Sequence, residues 1–264
     1  LPQDPFRPVV RPLPLEAPEI VPPLRNVLLR LAENKYLRGL HNPASQLSKL
    51  KEPPLQVTVE LQEENGAFAP AQVQEDGRVE IHYHKKDDKW TGAFRLKVKN
   101  EFSENLYVGA LYLTNDHRIY TRFLKPEVYI LEPGNEVFFW QHQSKAHLQS
   151  RVPLSLEDWV QDYNWPFTTE HIQLIVSNEP FSLEGMSRDP LAMPWTADEL
   201  MKGEQRAIKK GSALDEEEEE IPAVTGPDWM CLPLELRFHN PQHNRIPRRQ
   251  LQSLLQHEET AGFA

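Results

Sequence analysis

The sequence predicts a mainly β fold, an Ig-like antiparallel β-sandwich with an N-terminal proline-rich arm and helix and with peripheral C-terminal helices. Apolar and polar residues alternate with a period of two in several segments between residues 55 and 177, which is typical of half-buried strands. Turn residues such as Asn115-Asp116 and Pro133-Gly134 separate these segments. The spacing indicates roughly seven or eight short strands, the pattern of a β-sandwich.

Residues 1 to 23 form the first predicted segment, a proline-rich extended arm. Eight prolines lie in it, and each one fixes φ and removes a backbone donor, so the chain is expected to be extended. The arm also contains apolar residues such as Phe6 and Val10. We therefore expect it to wrap a neighbouring surface.

Residues 24 to 50 are predicted to be a helical connector. A helix over about residues 22 to 33 carries apolar residues at helical spacing, namely Leu24, Val27, Leu28 and Leu31. A second, short helical turn in "YLRGLHNPAS" is expected to end near Gly39, because Pro43 blocks its continuation.

The sandwich domain is predicted to span residues 51 to 182. Most of its strands alternate cleanly, so that one face is apolar and the other polar. The stretch "LYVGALYL", residues 106 to 113, is apolar on both faces and predicts a central strand that is covered on both sides. Gly109 within it indicates a close contact with a neighbouring segment.

Two further segments complete the predicted organisation. Residues 183 to 226 hold a helix, with Thr196 and Glu199 in capping-box spacing, and an acidic flexible loop. Residues 227 to 264 hold an edge strand, "CLPLELRF", and an amphipathic C-terminal helix. An edge is expected because Pro233 cannot donate a hydrogen bond to a neighbouring strand.

Composition excludes several classes of function. The net charge is -10, which disfavours nucleic acid as a partner because phosphate contact needs a basic surface. No window has the roughly 18 apolar residues that a membrane span needs, so no membrane partner is expected. Cys231 is the single cysteine, which excludes an internal disulfide and favours a reducing, cytoplasmic location. The start at Leu1, without Met, predicts that the chain begins partway through a longer gene product.

Candidate metal and nucleophile residues were weighed against structural roles. His82 and His84 are an H-x-H pair predicted on one solvent-facing face of a strand, without a third ligand. His239 and His243 have helical spacing, but Pro241 between them opposes a helix. Cys231 is predicted to be a buried structural thiol. We therefore predict no catalytic, cofactor-binding or metal-binding residue, and no cofactor.

Two other features leave alternatives open. Aromatic residues gather in the strand region, and they predict either core packing or a stacking platform for a peptide or carbohydrate: Tyr107, Tyr112, Tyr120, Tyr129, Phe138, Phe139 and Trp140. An acidic run predicts either a solvated linker or a cleavage and regulatory loop: Asp215, Glu216, Glu217, Glu218, Glu219 and Glu220. In the latter case the chain is a protease substrate cut in the acidic loop.

Four segments carry a resemblance to a known family: "YLRGLHNPAS", "FRLKVKNEFSENLYVGALYLTNDHRIYTRF", "LEPGNEV" and "IQLIVSNEPF". Together they resemble the non-catalytic β-sandwich region that follows the protease domain in bacterial caspase-family proteins, which are clan CD cysteine peptidases. The resemblance covers residues 24 to 182. It implies a helical connector that leads into an Ig-like β-sandwich.

The resemblance implies a role but transfers no catalytic residue. A caspase-type dyad needs a His, usually followed by Gly, and a Cys near small and acidic residues. None of the ten histidines is followed by Gly, and Cys231 lies in "DWMCLPLEL". The chain is therefore expected to be a non-enzymatic regulatory region that contacts the protease domain, a substrate or an activator. By analogy, it belongs to a stress or antiviral defence system.

Overall fold

A computed structural model of the chain describes residues 10–11, 20–74, 77–122, 124, 126–139, 151–193 and 228–243. The helical elements of these described residues are α1 (Val21–Arg38), α2 (Asp158–Asp162) and a 3-10 turn, Leu47–Lys49. The strands are β1 (Leu55–Gln62), β2 (Phe68–Pro70), β3 (Arg78–His82), β4 (His84–Lys86), β5 (Lys89–Asn100), β6 (Leu106–Leu113), β7 (Ile119–Tyr120), β8 (Tyr129–Leu131), β9 (Glu136–Phe138), β10 (Val152–Ser155), β11 (Phe167–Ser177) and β12 (Trp229–His239).

The described strands form two sheets of six, which confirms the predicted mainly β sandwich. The first sheet has the order β10-β5-β1-β2, with β4 and β9 also paired to β5. The second has the order β3-β12-β11-β6-β7, with β8 also paired to β6. Pairing is antiparallel except between β3 and β12, which run parallel in a sheet that the sequence predicted to be wholly antiparallel.

The main core lies between the two sheets and follows the period-two pattern. On β6 the inward residues are Leu106, Val108, Ala110 and Tyr112, and on β11 they are Ile172, Leu174 and Val176. They pack on Phe94, Leu96 and Val98 of β5. Burying such side chains is the dominant stabilising contribution in a domain of this kind.

The outer faces of the two sheets differ. The first sheet presents ion pairs on its outer face, such as Arg95–Glu60 and Lys97–Glu136, which is the arrangement of a solvated face. The second sheet has an apolar outer face at Leu111, Leu113 and Ile175, and this face is covered by α1 and by the segment 178–193. The prediction that residues 106 to 113 are covered on both sides is therefore confirmed.

Gly109 lies where the covering segment approaches the sheet most closely. A Cβ atom built there would lie 3.0 Å from Leu183 Cδ1 and 3.2 Å from Phe181 Cζ. Glycine thus allows the segment 178–193 to pack directly on β6, as the sequence indicated.

The helical connector differs from its prediction. Helix α1 runs without a break from Val21 to Arg38, and Gly39 ends it, so "YLRG" continues the first helix and does not form a separate turn. Prolines occupy its first turn, where no intrahelical donor is needed. Lys35 and Arg38 lie in its last turn, which suits the negative end of the helix dipole.

Strand β12 is an edge strand over only part of its length. From Glu235 to His239 it lies between β11 and β3, so the edge prediction is wrong there. From Trp229 to Leu234 it pairs, among the described strands, with β11 alone. Pro233 lies in this part, and the amide of Glu235, two residues on, points toward β3 and donates to the carbonyl oxygen of Gly77 at 3.4 Å. The nitrogen of Pro233, which lacks a hydrogen, therefore faces the open side.

Several predicted features lie outside the described residues. They are the arm apart from residues 10, 11 and 20–23, the helix that begins near Thr196, the acidic run Asp215 to Glu220, Trp140 and the C-terminal helix.

Candidate interaction surface

Helix α1 is fixed to the second sheet by its C-terminal half. Leu37 is buried in the cluster formed by Leu111, Leu113 and Ile175, and Asn34 is buried one turn earlier. The side-chain amide of Gln173 on β11 donates to the carbonyl oxygen of Arg38 at 2.6 Å. These contacts fix the direction in which the helix leaves the sheet.

Ionic contacts hold the middle of α1 to the covering segment. The guanidinium of Arg188 lies 2.9 Å from the carboxylate of Glu33, and Arg30 donates to the carbonyl oxygen of Asp189 at 2.8 Å. Arg30 and Glu33 also pair with each other at 3.6 Å. Such pairs contribute little stability individually, but their geometry orients the helix.

The connector is fixed at its far end as well. The carboxylate of Asp228 accepts hydrogen bonds from the amides of Gln46, at 3.0 Å, and Leu47, at 2.8 Å. The side-chain amide of Asn42 donates to the carbonyl oxygen of Trp229 at 2.9 Å. Because these bonds lie at the start of β12, they hold the connector to the sandwich at the end that follows α1.

Helix α1 leaves five large apolar residues uncovered, four of them in its N-terminal half. The exposed fractions are 70% for Val21, 42% for Leu24, 57% for Leu28, 52% for Leu29 and 69% for Tyr36. Val21, Leu24 and Leu28 follow i, i+3, i+7 spacing and so lie on one face. Large apolar side chains that stay exposed on one side of a helix are typical of interaction sites. We call these five residues the outer face of α1.

The sequence predicted the apolar stripe Leu24, Val27, Leu28 and Leu31. It did not predict which of these residues are covered and which stay exposed. Val27 and Leu31 are half-buried, whereas Leu24 and Leu28 are exposed. The sequence does contain an indication of a second apolar face. Leu29 and Tyr36 cannot lie in the same narrow stripe as Leu24, Val27, Leu28 and Leu31.

The predicted histidine pairs do not form metal sites. His82 ends β3 and His84 begins β4, so the two lie in different sheets and not on one face of a strand. His82 stacks on His239 with ring centroids 4.6 Å apart, and His239 contacts Glu80. Within the described residues, no group of three or more His, Cys, Asp or Glu side chains is placed to hold a metal ion.

Each remaining histidine of the predicted pairs makes a separate contact. The Nε2 of His84 lies 2.9 Å from the carbonyl oxygen of Gln62, so this nitrogen carries the proton. His84 and His82 both line a shallow groove of about 610 Å³ beside the β1–β2 turn. His243 lies in a turn after Asn240, with its Nδ1 3.1 Å from the carbonyl oxygen of Asn164.

Cys231 and the aromatic residues have packing roles. Burial raises the pKa of the Cys231 thiol to about 11, which opposes a reactive thiolate. Tyr112 and Phe139 are buried, and Tyr107, Tyr120, Tyr129 and Phe138 are half-buried. They do not form one exposed surface, so a stacking platform is not favoured.

A buried glutamate, Glu170 on β11, was not predicted. The hydroxyl of Tyr112 donates to Glu170, and the amide of Asn115 donates to the same carboxylate at 3.4 Å. Burial raises the pKa of Glu170 to about 7, and the charges of Asp116 and Glu157 also favour the protonated form. The period-two alternation of β11 could have predicted the burial of Glu170, because it places Glu170 on the same face as Ile172 and Leu174.

Beneath α1 lies a second group of buried polar residues that the sequence did not indicate. Burial, and then the charge of Arg38, lower the pKa values of His117 and His171 to about 4. Neither ring nitrogen of His117 has a hydrogen-bond partner among the described residues. These histidines are therefore neutral at pH 7 in the folded protein.

The described helices do not include one whose length and apolar character would allow it to cross a lipid bilayer. No known family model matches the chain, and a comparison with curated proteins finds no match. A structure of the Salmonella enterica SafA pilin in complex with the SafB chaperone is similar at 12% identity and a TM-score of 0.25. The match covers 69% of this chain and 54% of that one, so the chain spans about half its length. A likeness of this size does not indicate a shared function.

Proposed function

We propose that this chain is the non-catalytic interaction region of a bacterial caspase-like protease, and that it packs on the protease domain or recruits a substrate or activator. The observation that carries the proposal is the outer face of α1, which is apolar, exposed and held by a rigid sandwich. An uncovered apolar helix face gains stability when a partner buries it.

The segments behind the family resemblance have structural roles that agree with a scaffold. "LYVGALYL" is the doubly covered strand β6, and "YLRG" is the end of α1. A scaffold of this kind leaves recognition to the elements attached to it. We further propose a cytoplasmic location and, by analogy alone, a place in stress or antiviral defence.

The test is a pull-down between this chain and the caspase-like protease domain of the same gene product. We expect the unmodified chain to be retained, and the Leu24→Asp/Leu28→Asp variant to be lost, because the charges prevent burial of the outer face. Ile130→Asp is the matched control, since Ile130 is 50% exposed but lies on β8.

Two results would overturn the proposal. One is that the Leu24→Asp/Leu28→Asp variant still binds the protease domain as well as the unmodified chain does. The other is turnover of a peptide panel by the purified chain, because a non-catalytic region has no peptidase activity.

The alternative role as a protease substrate, cut in the acidic run Asp215 to Glu220, concerns residues outside those described and stays a prediction. Limited proteolysis tests it directly. Early cleavage within this run is expected, and resistance to several proteases argues against it.

A further inference from the structure

We infer that the outer face of α1 docks, as a helix in a groove, onto a protein surface whose apolar groove is bordered by carboxylates. This inference rests on the proposed function and specifies the chemistry of the partner. It is argued from the support, the spacing and the charge of the helix.

The first half of α1 has no buried residue, whereas the second half has two. The buried residues of the helix are Asn34 and Leu37, and every residue from Val21 to Leu29 is exposed or half-exposed. Isolated helices of this length are marginal in water. A partner that covers this half would thus stabilise both the helix and the complex.

The spacing of the exposed residues matches one mode of recognition. Val21, Leu24 and Leu28 provide anchors at i, i+3 and i+7, which is the pattern by which a helix lies in an apolar groove. Pro22 and Pro23 restrict the chain at the start of the helix, so less conformational freedom is lost on docking.

The positive charge of α1 indicates that the residues around the partner's groove are acidic. The helix has four basic residues and one acidic residue, Glu33, although the whole chain carries -10. Glu33 is paired with Arg188 and Arg30, and Lys35 is exposed near the end of the helix. An acidic partner is therefore attracted to this helix and repelled by most of the remaining surface, which favours one docking orientation.

The same charges disfavour the other occupants of such a face. A second copy of α1 would bring basic residues against basic residues and would join two chains that each carry -10. An anionic membrane would attract the helix but repel the rest of the chain. Neither argument applies to a protein groove with carboxylates at its rim.

The experiment measures the Kd for the caspase-like protease domain of the same gene product, at low and at moderate salt. Leu28→Asp is expected to weaken binding by at least about tenfold, as for loss of a buried anchor. Lys35→Glu is expected to weaken it by about fivefold and to reduce its salt dependence. Lys86→Glu, an exposed lysine on β4, is the control and should leave Kd unchanged.

The outcomes separate the two proposals. If Leu28→Asp abolishes binding while Lys35→Glu and salt have no effect, the interaction region stands and the acidic groove is wrong. Absence of any Leu28-dependent binding overturns both. Sedimentation that shows a Leu28-dependent dimer, or Leu28-dependent binding to phosphatidylserine vesicles in preference to the protease domain, also overturns the inferred partner.

Discussion

The side-chain amide of Asn100 donates a hydrogen bond of 2.7 Å to the carbonyl oxygen of Leu131 and so ties the end of β5 in one sheet to β8 in the other. The same amide donates to the carbonyl oxygen of Glu104 at 2.8 Å, and its oxygen accepts from the amide of Phe102 at 2.8 Å. Asn100 is fully buried. One side chain thus closes the β5–β6 turn and joins the two layers.

Replacing Asn100 with Ala is expected to destabilise the fold by about 3 kcal/mol, because the buried carbonyl oxygen of Leu131, the part-buried carbonyl oxygen of Glu104 and the amide of Phe102 lose this partner. Urea unfolding followed by circular dichroism measures the change. Asn105→Ala is the matched control, since Asn105 is exposed in the same turn. Equal stability of the two variants would show that the contacts of Asn100 do not stabilise the sandwich.

Asn100 also illustrates what could be read from the sequence. The segment after β5 was predicted as a turn from its polar residues, and the turn is present. The contact with Leu131, 31 positions away, was not predictable, because local patterns do not specify which carbonyl a buried amide meets.

The same limit applies to the rest of the fold and to the interaction surface. Period-two alternation located the main strands, and helical spacing located α1. Helical spacing could not show that α1 has a covered side and an uncovered side, because the exposure of Leu24 and Leu28 depends on where the sheet ends. The parallel pairing of β3 with β12 also escaped prediction, since it joins segments about 160 residues apart in sequence.

Replacing Gly109 with Ala is expected to destabilise the protein by about 1 to 2 kcal/mol, because the new methyl group would press on Leu183 and Phe181. Thermal unfolding measures the shift. Gly92→Ala is the control: a Cβ there would meet Leu154 at an ordinary 3.7 Å, so little change is expected. A Gly109→Ala variant as stable as the Gly92→Ala variant would contradict the close approach.

Replacing Glu170 with Gln is expected to stabilise the protein, relative to the unmodified chain, more at alkaline pH than at acidic pH. Burial raises the pKa of Glu170 to about 7 from its ordinary value of 4.5, so the folded protein loses stability as pH rises from 4.5 through 7. Gln removes this loss. The variant should therefore gain about 2 kcal/mol more at pH 8 than at pH 5, measured by urea unfolding at both values.

Glu104→Gln provides the comparison for Glu170, because Glu104 is exposed. This substitution should change stability equally at the two pH values. A Glu170→Gln variant with the same indifference to pH would mean that the Glu170 carboxyl titrates alike in the folded and unfolded chain.

Replacing His117 with Asn is expected to make the protein less sensitive to acid. Burial lowers the pKa of His117 to about 4 in the folded state from its ordinary value of 6.5, so stability is full above pH 6.5 and falls as pH approaches 4. Near pH 5 the variant should take up about one proton fewer on unfolding. Asn also suits the backbone, because His117 has a φ of 60°.

The measurement is the free energy of unfolding at several pH values between 4.5 and 7.5. His171, with a pKa lowered to about 4, contributes in the same direction and keeps part of the slope in the variant. His41 is exposed, so His41→Asn should leave the slope unchanged. If His117→Asn retains the full slope while His171→Asn abolishes it, the acid sensitivity belongs to His171 alone. The turn between β6 and β7 would then have no part in it.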